Sequence, residues 1–193
     1  MQSTYIWRVI PSNQPVVIRN CPKCGNHSTY ESTGSFRVNA NQSNIDVWLI
    51  YQCNKCKSTW NMEILSRINS NTIDKELYIK YQRNDQDLAR HYAFDIAAHN
   101  KNKSTLCYDN ITYEILGDSF SLAQLQENIE IQVVCDYPLD IRLDKILSKQ
   151  LSTSREAIKK LGNTGHITGV GIKDIAKAKV KNGMIICINP FKR

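Results

Sequence analysis

The chain has 193 residues and a mass of 22.1 kDa, room for one or two domains. Hydrophobic residues make up 41% and charged residues 22%, with eight glycines and five prolines, which excludes a disordered, a collagen-like and a flexible-linker protein. The net charge of +7 is concentrated: residues 1–138 hold thirteen Lys/Arg against fourteen Asp/Glu, whereas residues 139–193 hold twelve against four.

Residues 5–62 are expected to be β-rich. Tyr5–Ile10, Val16–Arg19, Ser35–Asn39, Ile45–Tyr51 and Thr59–Glu63 are short β-branched or aromatic runs separated by Asn, Ser and Gly. The longest apolar runs, such as Val47–Tyr51, fall well short of the ~20 residues of a membrane-spanning helix. Met1–Tyr5 has neither a basic nor an apolar leader region, so no signal peptide is expected and the location is read as cytoplasmic. Disulfides are disfavoured there, and the seven cysteines need another role.

Four of them supply one. Cys21-Pro22-Lys23-Cys24-Gly25 and Cys53-Asn54-Lys55-Cys56 are two Cys-x-x-Cys pairs with 28 residues between them. A two-residue gap lets one tight turn point both sulfurs at one ion, and two such turns complete a tetrahedron of thiolates. Gly25 suits the left-handed position such a turn needs. The spacer is long enough for a hairpin of Ser35–Asn39 with Ile45–Tyr51. This is zinc-ribbon architecture with Cys21, Cys24, Cys53 and Cys56 as ligands. Four thiolates leave no open position, so the zinc is expected to be structural. Iron suits the same ligand set. A thioredoxin-like redox pair needs a βαβ context that is missing here. His27 is read as a loop histidine, and Cys107, Cys135 and Cys187 as small buried hydrophobes.

Residues 73–100 read as helical. Leu88, Tyr92 and Ile96 recur every four residues beside Ala89, Ala93 and Ala97, with Asn84 or Asp85 as N-cap. His91 and His99 are eight apart, too far for one metal, and are read as surface or satisfied histidines. Asp85, Asp87 and Asp95 are expected to cap or solubilise the helix. Trp48, Tyr51 and Trp60 are expected to pack in the core rather than stack on bases. Alternation returns in Thr112–Ile115 and Ile129–Val134, with a short helical turn around Leu122–Leu125, and Tyr137-Pro138 breaks the chain.

The basic segment follows. Leu143, Ile146, Leu147 and Leu151 make one helical face, and Thr153-Ser154-Arg155-Glu156 fits a capping box before a second helix through Ile158 and Leu161. Gly162 and Gly165 can end it. A strand at Ile167-Thr168, a turn at Lys181–Met184 and a strand at Ile185–Ile188 complete the chain. So basic a segment points to a polyanion, nucleic acid or an acidic membrane surface.

Here the residues resemble a known family. Arg142-Leu143-Asp144, Ser154-Arg155, Lys160-Leu161, Gly165-His166-Ile167-Thr168 and Gly183 with Ile185–Ile188 look like the S-four RNA-binding domain, the αL motif, over about residues 139–190. The resemblance implies Arg142, Ser154, Arg155, Lys159 and Lys160 as contacts to structured RNA. The family's usual Val-Asn-Gly turn is replaced by Ile167-Thr168-Gly169-Val170-Gly171, and its Gly-Asp before the last strand by Gly183-Met184. Arg155 and Lys159 stand four apart on one helix face near its positive N-terminus, a natural place for a phosphate. The whole chain also resembles a family of uncharacterised bacterial proteins, through Cys21–Gly25, Trp48–Cys53, Cys56–Trp60, the Asn84–Asp95 helix and the Tyr137-Pro138-Leu139 entry to Arg142. That resemblance carries an architecture and no activity.

No nucleotide-binding, metalloprotease or nucleophile-elbow motif is present. Arg142-Leu143-Asp144 matches part of a pseudouridine-synthase motif but continues Lys145-Ile146-Leu147. The chain is therefore read as an α+β protein of three segments: a zinc ribbon (1–63), a mixed helix and strand region (64–138) and a basic αL module (139–193). Its expected role is noncatalytic binding to structured RNA, ribosomal or transfer RNA, without a membrane or small-molecule partner. The alternative is a protein-interaction adaptor whose αL module no longer binds RNA.

Overall fold

The computed structural model describes residues 3–190, and the chain is mixed α+β with two five-stranded sheets. It divides into two compact units: residues 13–111, and the N-terminal residues up to 12 together with 112–193. These boundaries differ from the sequence divisions at 63 and 138. The reason is a long-range pairing. β1 (Ser3–Pro11) runs parallel to β8 (Ile129–Val134), from Ser3↔Ile129 to Arg8↔Val134, so the first strand belongs with the C-terminal sheet.

The unit of residues 13–111 is an antiparallel sheet flanked by helices. It holds β2 (Val16–Cys21), β3 (Asn26–Asn41), β4 (Asn44–Cys53), β5 (Thr59–Asn69) and β6 (Thr105–Cys107), in the order β5-β4-β3-β2-β6. β4 shows the period of two plainly: Ile45, Val47, Leu49, Tyr51 and Cys53 are all buried, and the residues between them are not. β3 is longer than the sequence suggests, because Asn26–Thr29 pairs with β2 although it carries no apolar alternation. A bulge between Ser32 and Phe36 then resets its register against β4.

The helical stretch is three short helices, α1 (Lys75–Gln82), α2 (Gln86–Phe94) and α3 (Ile96–Lys101). Each starts on an aspartate, Asp74, Asp85 or Asp95, whose carboxylate accepts the amide of Leu77, Leu88 or Ala98. Asn84 is not the cap. It takes a left-handed φ of 53° and accepts the Phe36 amide at 2.6 Å, which pins the α1–α2 turn to β3.

His99 is 1% exposed, with Nδ1 2.9 Å from the Ser104 hydroxyl and Nε2 3.3 Å from the Tyr51 hydroxyl. It is a satisfied core histidine, on a different helix from His91. Burial lowers its pKa below the usual 6.5, against a weaker opposing pull from Asp95 and neighbouring backbone bonds. The unfolded chain therefore takes up the proton first. Stability is full above pH 6.5 and is lost as pH falls through that value and on through the folded pKa. Urea midpoints should drop more steeply between pH 7 and pH 5 for the wild type than for His99→Gln; equal slopes would remove this role.

The other unit has the order β7-β1-β8-β10-β9, with β7 (Tyr113–Leu116), β9 (Ile167–Gly169) and β10 (Met184–Ile188). Trp7, Val9, Ile129, Ile131, Val133, Ile186 and Ile188 are buried in it. The Trp7 indole N–H donates to the Asp118 carbonyl at 2.8 Å. A 3-10 turn at Leu122–Gln124 precedes β8. α4 (Leu143–Gln150) and α5 (Arg155–Asn163) bury the expected face of Leu143, Ile146, Leu147, Leu151, Ile158 and Leu161.

The α5 cap is one residue later than the capping-box pattern implies: Ser154, not Thr153, accepts the Ala157 amide. Gly165 ends α5 at φ +76°, with His166 N–H on the Leu161 carbonyl and Gly165 N–H on that of Gly162. Gly162 lies inside the helix. No helix among the described residues is long and apolar enough to cross a membrane.

Candidate functional site

The four paired cysteines meet. Cys21 ends β2 and Cys53 ends β4, each the last inward position of its strand. Cys24 and Cys56 follow in matching turns. In the first, Gly25 N–H returns to the Cys21 carbonyl at 2.9 Å with φ +70°; in the second, Lys57 N–H returns to the Cys53 carbonyl at 3.0 Å with φ +60°. Glycine supplies the left-handed position in one turn, and a lysine adopts it in the other. The β3–β4 hairpin lies between them.

The sulfurs all lie within 4.8 Å of one another, with Cys21–Cys56 at 3.6 Å and Cys24–Cys53 at 4.0 Å. A tetrahedral site with Zn–S bonds of ~2.3 Å has sulfurs ~3.8 Å apart. The four cysteines can therefore hold a metal ion. No other group of three or more potential ligands gathers this way among the described residues. His27 is exposed on β3 and is not part of the cluster.

The surroundings favour negative charge here. The Ser58 hydroxyl lies 3.0 Å from Cys56 Sγ and 3.5 Å from Cys21 Sγ. It leads the groups that hold Cys21 down to about 5 and lower Cys56, while Cys24 is pushed up to about 12, first by its bond with Cys56. Without a cation, four packed sulfurs share protons unequally.

Arg19 completes the setting. It stands two residues before Cys21 on the same face of β2, its guanidinium 4.0 Å above the Trp60 ring and 5.9 Å from the Tyr30 ring. Its NH1 is buried without a hydrogen-bond partner, beside the charge of Cys21. A buried cationic donor is costly unless something negative faces it. A metal held by four thiolates carries a net charge of about −2 when the metal is divalent, so the donor set and the orphaned nitrogen fit each other. Arg19→Ala is expected to weaken metal binding ~10–100-fold in chelator competition, as loss of an outer-shell partner does. Unchanged affinity would detach Arg19 from the centre. Trp60 packs on Tyr51 at 5.2 Å and on Tyr30 at 6.4 Å against the core, whereas Trp48 is half-buried on the opposite face of β4, 5.9 Å from the Arg37 guanidinium and outside the core. Cys107, Cys135 and Cys187 stay apart as free thiols, of which only Cys135 is fully buried.

In the other unit the five sequence-predicted RNA contacts, Arg142, Ser154, Arg155, Lys159 and Lys160, are all exposed around the α4–α5 corner. Two are drawn together by Asp144. Arg142 donates to it at 3.2 and 2.7 Å and Arg155 at 3.1 Å to each oxygen; the Asp144 side chain is 3% exposed, the arginines 51% and 48%. Arg142 also donates to the Ala176 carbonyl at 2.7 Å. One buried carboxylate thus orients two guanidiniums and leaves the trio with one positive charge in excess. Ser154 spends its hydroxyl on the α5 cap. Lys159 and Lys160 are exposed on α5 and have no ion pair among the described residues.

Lys145 and Lys149, which the sequence reading did not single out, lie 5.4 and 5.8 Å from the Tyr113 ring. Their i, i+4 spacing was visible in the sequence; the ring beneath them, brought from a distant strand, was not.

A family model described as a protein of unknown function, DUF1062, matches residues 38–172. No curated protein and no solved structure matches the chain.

Proposed function

The chain belongs to the DUF1062 family, of unknown function, and from its own residues we propose that it binds structured RNA without catalysing a reaction, ribosomal or transfer RNA being the class expected. The observation that carries this reading is the Asp144 brace. It holds Arg142 and Arg155 half-exposed and pre-oriented, next to Lys159 and Lys160, in a segment with twelve cations and four anions. Guanidiniums fixed in this way bind phosphate oxygens with little further loss of side-chain freedom. The two helices, the Ser154 cap and the following strand are those an αL module would use.

The four-cysteine centre is proposed as a closed structural zinc site of ribbon type, with iron as the other metal such ligands hold. Cys21, Cys24, Cys53 and Cys56 would hold the ion, and bound metal would tie the ends of β2 and β4 together.

The test is titration of the full chain against structured RNA at two salt concentrations. Truncation at Tyr137 is not suitable, because it removes β10 and β9, two of the five strands of that sheet, and leaves β8 as an unpaired edge. Phosphate binding gives affinity that falls steeply with salt. The adaptor reading gives a shallow dependence and a copurifying protein.

A further inference from the structure

A cleft of about 580 Å³ is formed by the segment that connects β9 to β10, away from the helix positions that the family resemblance singles out. Lys173, Lys177, Lys179 and Lys181 line it, and Asp174 is the one carboxylate among its lining residues. Lys177 faces Asp174 at 3.7 Å but remains 85% exposed, and Lys179 pairs with Asp140 at the cleft's margin. Lys173 and Lys181 have no ion pair among the described residues. Four ammonium groups around one concavity focus a positive field into it. Its lining also has an apolar part: Val170 is 70% exposed, with Met184 beside it in the wall.

The cleft is stitched to the arginine brace. Lys179 forms an isolated β-bridge with Arg142. Leu143 N–H donates to the Ala178 carbonyl at 2.8 Å, and Val180 N–H to that of Ile141 at 2.8 Å. The Arg142 guanidinium rests on the Ala176 carbonyl. Residues 176–180 therefore support Arg142 and its neighbours, and Lys177, Ala178 and Lys179 within that stretch also line the cleft. The positive surface continues from α5, through Arg155 and Arg142, into the cleft.

We propose that this cleft binds consecutive phosphates of the RNA backbone as the strand leaves the α4–α5 corner, with Lys173 and Lys181 as its unpaired contacts. The proposal rests on the RNA reading above. Its shared chemistry is a chain of closely spaced phosphates, and Val170 with Met184 gives a ribose or base an apolar surface.

The experiment uses the full chain, a labelled RNA hairpin with a single-stranded tail, and the variant Lys173→Glu/Lys181→Glu, with Lys173→Ala/Lys181→Ala as a milder second variant. Thermal melts confirm folding. The glutamate variant is expected to bind roughly tenfold or more weakly, with a log K–log salt slope less negative by ~1.4–1.8, the share of two phosphate contacts. Wild-type affinity and slope in both variants, while Lys159→Glu/Lys160→Glu binds worse, would overturn the cleft and keep the RNA reading. If the wild type binds no RNA, the RNA reading falls, and inorganic tripolyphosphate decides the cleft by itself. Saturable binding abolished in the double variants would assign it to free phosphate chains; no saturable binding would overturn it.

Discussion

The purified chain is expected to carry about one equivalent of zinc, and Cys53→Ser to lose it. Cys53 ends the buried face of β4, and its sulfur lies 4.0 Å from that of Cys24. Serine is a poor ligand for a soft site, and three thiolates leave an open position. Structural zinc contributes about 10–16 kcal/mol of binding free energy in small zinc peptides, so even part of it is large beside the stability of one unit. The effect should be local first. Cys21 and Cys53 sit at the ends of β2 and β4 in a buried core that also holds Val17, Tyr30, Leu49, Tyr51, Met62 and Tyr81, and that core extends well beyond the cysteines. Amide exchange should therefore rise in 21–25 and 53–58 while the β3–β4 hairpin keeps its protection. Metal analysis of wild type and variant, with hydrogen exchange, checks this. Equal metal content and equal exchange would refute the metal centre.

The second large effect is expected from Lys159→Glu/Lys160→Glu, which should reduce RNA affinity at least ~100-fold at moderate salt. Two attractive contacts become repulsive, and each lost phosphate contact also flattens the salt slope by ~0.7–0.9. Arg155 is the less informative residue to reverse. A glutamate there would face Asp144, whose side chain is 3% exposed and already depends on two arginines. Breaking such an arrangement leaves a buried carboxylate short of partners, so lost binding would report lost structure as well. Lys159 and Lys160 are exposed and brace nothing. Anisotropy titrations, with a thermal melt to confirm folding, measure the effect. Wild-type affinity in this variant would move the RNA surface off α5.

Much of this was legible from local chemistry. Cys-x-x-Cys spacing fixes two turns, and the apolar alternation through Ile45–Tyr51 aims Cys53 inward, so the four cysteines that cluster could be named from the sequence. The α4 and α5 faces followed from their period. What stayed hidden is mostly non-local. Nothing in Tyr5–Ile10 says that β1 runs parallel to a strand more than a hundred residues later. Asn26–Thr29 joins β3 through backbone pairing, not side-chain pattern. Asp144 sat within a recognised triplet, yet its part as the brace for Arg155 depends on how α5 turns back on α4. Arg19 had a visible signal, two positions before Cys21 on one strand face, but its burial against Trp60 needed the third dimension. At the start of α5 two hydroxyl residues stand one position apart, and the pattern alone does not say that Ser154 rather than Thr153 accepts the Ala157 amide.

The most direct test of the RNA-binding account is the salt dependence of binding between the intact wild-type chain and a structured RNA. The account predicts tight binding at low salt and a log K–log salt slope steeper than about −2, as several simultaneous phosphate contacts require. A flat slope, or no binding at low salt, would contradict it.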